Sequence, residues 1–159
     1  MSTQSVAAPV RMSIVVEASR ERAFEVFTAD IGSWWPADKH LLQGELAEME
    51  FEPRVGGHII DRGVDGSESP WARVLAYEPP DRVVFSWDIS LRWEIETDPA
   101  RCSEVEVRFI AESDDRTRVE LEHRALERHG DGWESMRHAV ASPNGWGDGL
   151  SSFAAYVAG

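Results

Sequence analysis

The chain has 159 residues, 42% of them apolar and 28% charged, the profile of one ordinary globular domain long enough to bury a core. A formal net charge of −13 argues against nucleic acid or an anionic membrane surface as a partner, since both require a basic face. The single cysteine, Cys102, excludes an internal disulfide and points to a reducing compartment.

Residues 1–9 are small and polar and are expected to be disordered, leaving one domain over 10–159. Met1 to Pro9 has no apolar h-region and no run approaches a membrane span, so a cytoplasmic protein is expected. Val10 to Glu17 reads as a first strand. Ser19 is a fair N-cap for a helix running to about Ala29, with Ala23, Phe24 and Phe27 on one face. A short helical turn through Ile31 and Trp35 ends at Pro36. Leu46 to Phe51 is a strand, and Gly56-Gly57 marks a bend into another, His58 to Arg62. Asp65-Gly66 signals a hairpin to Pro70–Tyr77. On that strand Trp71, Arg73 and Tyr77 form one face, while Ala72, Val74 and Ala76 form an equally plausible core set.

After the Pro79-Pro80-Asp81 turn, a two-beat pattern is written three times. Phe85, Trp87, Ile89, Leu91, Trp93 and Ile95 alternate with Ser86, Asp88, Ser90, Arg92, Glu94 and Glu96, which predicts one long strand as far as Asp98-Pro99. Val105, Val107, Phe109 and Ala111 follow, and past an Asp114-Asp115 hairpin come Val119, Leu121, His123 and Ala125. Side chains alternate across a strand, so the sheet has one charged face and one apolar face that needs a cover. Short turns imply antiparallel neighbours and a meander. The cover is a terminal helix on which Trp146, Leu150, Phe153 and Val157 share one stripe. Before it, Asp131 and Glu134 read as a capping-box variant, and Ser142-Pro143 as a second helix start. Gly145, Gly147 and Gly149 each cost a helix interior about 1 kcal/mol against alanine, so something packs closely there or the segment moves.

Few motifs carry chemistry. The five histidines show no metal-ligand spacing and Cys102 has no nearby cysteine, so no metal or other cofactor is expected. There is no Gly-x-Ser-x-Gly elbow and no phosphate-cradling loop. His123 faces inward by parity, where an imidazole can orient a ligand, act as a general base, or be satisfied as a core group. Seven tryptophans is a high number, and Trp34, Trp35, Trp87, Trp93 and Trp146 lie on segments bounding the interior. Such indoles either fill a core or line a pocket.

One strand, two short helices, a six-strand antiparallel run and a C-terminal helix make an α+β chain in helix-grip order, a curved sheet of about seven strands wrapped around the last helix. Val15–Phe27, Trp34-Trp35-Pro36, Phe51 to Gly57, Val74–Trp87, Thr117–His123 and Gly145-Trp146 together resemble the START-like (SRPBCC) superfamily. More narrowly they resemble the bacterial proteins named after the activator of the ninety-kilodalton heat-shock chaperone's ATPase. The resemblance implies a deep apolar cavity between sheet and helix for a lipophilic or aromatic small molecule. Its expected walls are Trp35, Phe51, Phe85, Trp87, Phe109, His123, Trp146, Leu150 and Phe153. No catalytic residue is assigned. A cavity enzyme of polyketide-cyclase or hydrolase type is the alternative to a binding module, and a chaperone is the alternative partner. Monomer and homodimer both remain open.

Overall fold

Alternating apolar and polar residues build one antiparallel sheet of seven strands in the computed structural model, which describes residues 8–36 and 44–158. The strands are β1 (Val10–Val16), β2 (Leu46–Phe51), β3 (His58–Gly63), β4 (Glu68–Glu78), β5 (Arg82–Trp87), β6 (Ser103–Ser113) and β7 (Arg116–Arg124). Their order, β1-β7-β6-β5-β4-β3-β2, is a meander from β2 to β7 with β1 folded back onto β7. Helices α1 (Arg20–Thr28) and α2 (Ile31–Trp34) bridge β1 to β2, and α3 (Trp133–Ala141) and α4 (Asp148–Ala158) follow β7. The result is the expected α+β helix-grip architecture, a sheet curled around the last helix. No described helix is long and apolar enough to cross a membrane. The disorder expected at 1–9 falls outside the described residues except at Ala8 and Pro9, and the Ala8 carbonyl accepts a hydrogen bond from Arg137 Nε.

Local chemistry accounts for most boundaries. Ser19 caps α1, its Oγ accepting from the Arg22 amide at 3.1 Å, and Ala23, Phe24 and Phe27 are buried beneath. On β6 and β7, Val105, Val107, Phe109, Val119, Leu121 and His123 all point inward, whereas Ala111, at the outer end of that hairpin, is exposed. Trp146, Leu150, Phe153 and Val157 are buried as their spacing requires. On the opposite side of the sheet, Glu106 sits among Arg82, Arg108 and Arg124. Burial pushes its carboxyl upward, but hydrogen bonds from the three guanidinium groups outweigh that and hold it at about 2.

The structure departs from the sequence expectations in three places. The long strand predicted over 83–96 ends at Trp87. Asp88 there turns its carboxylate to Arg73 in a two-point pair at 2.9 and 3.1 Å, and the Ser90 hydroxyl accepts from the Arg92 and Glu94 amides at 3.2 Å. A serine that bonds its own downstream backbone closes a turn instead of extending a ladder. Residues 89–95 therefore form a small hairpin pinned by an Ile89–Ile95 bridge.

On β4 the choice between two faces dissolves, because register shifts opposite Ile59/Ile60 and at Val74/Ala76 each insert a residue. Trp71, Ala72 and Val74 are all buried, Tyr77 packs on Phe24 at 5.5 Å, and Arg73 turns to the outer face. Asp131 caps nothing: the chain enters α3 through left-handed Gly130 and Gly132, and no side chain closes its first turn. Ser142-Pro143 does open a second helical turn as expected, with proline in its first positions, but the serine side chain does not cap it. Ser142 also ends α3, and its hydroxyl donates back to the Ala139 carbonyl at 2.7 Å.

Between α3 and α4, Pro143–Gly147 makes one wide π-type turn with a non-helical Gly145. A Cβ on Gly145 would lie 2.4 Å from the Val140 carbonyl oxygen and 2.5 Å from that of Ala139. Close backbone approach thus explains one of the three glycines. At Gly147 the nearest atom to an added Cβ is 3.9 Å away. Gly145→Ala is expected to destabilise the fold by about 2–3 kcal/mol in urea unfolding, the scale of an overpacked core, while Gly147→Ala stays within about 1 kcal/mol of wild type.

Candidate functional site

A cavity of about 550 Å³ opens between β3–β5 and the α3–α4 junction. Four indoles form its wall, each placed by a different backbone device. Trp35 leaves α2 in the extended conformation (ψ 131°) favoured before a proline, its ring still 5.6 Å from that of Trp34, whose own N–H is satisfied by the Val26 carbonyl at 2.9 Å. Trp71 is the residue inserted by the first β4 bulge, Trp87 ends β5, and Trp146 sits in the wide turn ahead of α4.

Their ring centroids form a closed circuit: Trp35–Trp71 5.1 Å, Trp71–Trp87 5.6 Å, Trp87–Trp146 5.7 Å and Trp146–Trp35 5.6 Å. Interplanar angles of 40° to 89° prevent stacking among the indoles themselves and leave ring faces turned in several directions. Asp61, 1% exposed on the inward side of β3, accepts from Trp71 Nε1 at 3.2 Å and is the one ionisable group among the described lining residues. Ile89, Trp93, Ser142 and Asn144 are also among the lining residues, with Pro36, Ala139, Val140, Gly145 and Gly149.

Behind the Trp87–Trp146 wall lies a buried polar chain. Trp146 Nε1 donates to His123 Nδ1 at 3.1 Å, His123 Nε2 meets Ser103 Oγ at 2.8 Å, and the same hydroxyl meets His129 Nε2 at 2.8 Å. An indole N–H can only donate, so His123 must carry its proton on Nε2 and give it to Ser103. Ser103 then donates to His129, which is left with a buried Nδ1–H that has no hydrogen-bond partner. Burial first, and the neighbouring His129 second, push the His123 pKa down to about 3. Burial lowers that of His129 as well. Burial, then Asp88, push the Cys102 thiol up to about 12, which favours the protonated form.

Of the nine expected wall residues, the structure places Trp35, Trp87 and Trp146 on this cavity. Phe51, Phe85, Phe109, Leu150 and Phe153 are buried in the packed core instead, and His123 stands one layer behind, its ring 5.2 Å from Trp87. His58, whose facing the Gly56-Gly57 bend obscures in the sequence, is part-exposed beside Glu52. Asp61 and Trp71 are among the lining residues outside the expected nine. Asp61 follows Ile59 at strand parity, which is a legible signal for an inward carboxylate. Trp71 depends on a bulge that no residue type announces.

The chain matches the family model described as "Activator of Hsp90 ATPase homolog 1-like protein" over residues 17–158. No curated protein sequence matches it. Among solved structures, it is similar to the anthrahydroquino-gamma-pyrone synthase Txn09, solved in complex with SUM, with 41% identity, TM-score 0.67, and 94% of this chain and 97% of that one covered. It is similar to CalC, a self-sacrificing resistance protein from Micromonospora echinospora, with 26% identity, TM-score 0.69, and coverage of 94% and 93%. Protein NE0264 from Nitrosomonas europaea, 12% identical with TM-score 0.64 and 94% of each chain covered, shares the fold. The chain belongs to the family of Activator of Hsp90 ATPase homolog 1-like proteins, within the START-like (SRPBCC) superfamily.

Proposed function

We propose that the protein takes a planar, fused-ring aromatic molecule of polyketide type between Trp35, Trp71, Trp87 and Trp146 and closes an oxygen-containing ring on it. The observation that carries this is an indole-walled cavity whose one described ionisable lining group is a buried carboxylate, Asp61. Rigid aromatic faces bind flat, electron-rich ring systems by stacking and edge contacts, and a volume of about 550 Å³ falls within the usual span for small-molecule sites. The likeness to a ring-forming synthase at 41% identity, along nearly the full length of both chains, supports the same substrate class.

In this reading Asp61 takes the proton of an attacking phenol or enol hydroxyl as the new C–O bond forms. It returns that proton to the carbonyl oxygen, giving a hemiketal hydroxyl. It then takes a proton from the methylene carbon between the two carbonyls as the ring C=C forms and passes it to that hydroxyl, whose C–O bond breaks with loss of water. His123 takes no part in the proton transfer, because both its nitrogens are committed to Trp146 and Ser103. The second reading, sequestration without turnover, is favoured by the likeness to a resistance protein.

An anthraquinone bearing an ortho-hydroxyaryl 1,3-diketone separates the two. A synthase releases many equivalents of cyclised product per protein, whereas a sequestering protein stops at one or none. Asp61→Asn is expected to slow ring closure by about 10²–10⁴-fold while leaving affinity for alizarin within about threefold. Trp87→Leu is expected to weaken alizarin binding by about 10–100-fold, measured by fluorescence titration. It is a clean test, since the buried Trp87 N–H has no hydrogen-bond partner to orphan.

The histidine chain makes a separate prediction. Between the ordinary histidine value of 6.5 and about 3, the unfolded chain binds a proton at His123 that the folded protein refuses. The contribution to stability is therefore complete above pH 6.5 and is lost progressively as the pH falls toward 3, at up to about 1.4 kcal/mol per pH unit for one proton. Urea midpoints from pH 7 to 4 should fall more steeply for wild type than for His123→Gln. Parallel curves would show that His123 takes up its proton normally in the folded protein.

A further inference from the structure

Trp93 stands apart from the other cavity indoles. It lines the mouth yet is 48% exposed, and it adopts φ +60°. For a bulky residue the left-handed region is a true outlier, and such strain persists only where its surroundings impose it. The imposing structure is the hairpin after β5. Ile89 is buried and bridged to Ile95, the Ser90 amide donates to the Glu94 carbonyl at 2.7 Å, and the Trp93 amide donates to the Ser90 carbonyl at 2.9 Å. The Ser90 hydroxyl closes the same turn from within. The backbone is thus tied on both sides of a residue that local propensity would place elsewhere, and what the tie achieves is to hold an indole at the opening.

We infer that Trp93 is a ligand-contacting residue, the fifth aromatic face of the cage, which closes over a flat aromatic molecule seated among Trp35, Trp71, Trp87 and Trp146 and sets how long it stays. This rests on the reading of the cavity as a site for such molecules. Two features of the structure support it independently of the backbone strain. A half-exposed indole at the rim of an apolar cavity has unburied surface that a bound ring system would cover. The hairpin that carries it lies outside the named strands and is held by its own bridge and turn bonds, so the indole is presented to the cavity from a fixed backbone.

The test is Trp93→Gly, with alizarin as the probe and stopped-flow fluorescence as the readout. Glycine accepts φ +60° without strain, so the melting temperature should equal that of wild type or exceed it by about 2–4 °C. Dissociation should nevertheless be about tenfold faster, with association nearly unchanged. Trp93→Phe, which keeps an aromatic face, should recover most of the residence time. A purely structural Trp93 predicts the reverse pattern, a lowered melting temperature with dissociation within twofold of wild type, and dissociation within twofold overturns the inference. If Trp87→Leu abolishes binding while Trp93→Gly dissociates like wild type, the cavity reading stands and the fifth face falls. If wild type does not bind alizarin at all, both fall together.

Discussion

The hydrogen bond from Trp146 to His123 is the point on which the site depends. It joins the turn ahead of α4 to the inner face of β7 and fixes one cavity wall in both position and tilt. Because the indole can only donate, it also dictates the proton positions along the chain through Ser103 to His129. Protonating His123 would set two N–H groups against each other in a place from which water is excluded. The geometry therefore acts in the same direction as burial in keeping this imidazole neutral. A residue that looks like a general base in the sequence is a brace for an indole in the fold.

That brace marks a division of the interior. At one end, Phe24, Phe27, Phe109, Phe153 and Trp34 pack with centroids 4.9–5.8 Å apart, mostly edge to face, and hold α1, α2 and α4 against the sheet. At the other end, indoles at similar separations surround space. The difference lies in how the rings are carried. The phenyl groups project from regular strands and helices, whose spacings let side chains interdigitate, whereas Trp35, Trp71 and Trp146 project from a helix exit, a bulge and a π-type turn. Irregular backbone holds rings where close packing would not.

This contrast also explains what the sequence could reveal. Strand parity and helical stripes are local periodicities, so the sheet, its charged outer face and the buried stripe Trp146–Leu150–Phe153–Val157 could all be read from residue order. The same periodicity does not delimit the cavity. It turns Phe51, Phe85, Phe109 and Phe153 inward but does not say whether another ring already fills the space. It extended β5 through Ile95 because alternation carries no information about the Ser90 hydroxyl closing a turn. It could not choose a face for β4, since two inserted residues turn parts of both sets inward. Asp61 is a different kind of omission, an acidic residue at inward parity that was readable beside Ile59.

Violations of local preference accumulate around this cavity. Trp93 holds a left-handed backbone, Gly145 lies where no Cβ fits, the chain makes a π-type turn at Pro143–Gly147, and Trp87 buries an N–H without a hydrogen-bond partner. Each is a departure from what local preference alone would select in a simple scaffold. The meander obeys its rules closely by comparison, down to the three arginines that satisfy Glu106. Consistency across most of a fold with departures gathered at one place is the pattern expected when a site, and not the scaffold, sets the local sequence. This clustering sets the indole cage apart from the rest of the fold without reference to any relative. It also implies that substitutions easing these strains would raise stability while loosening the cage.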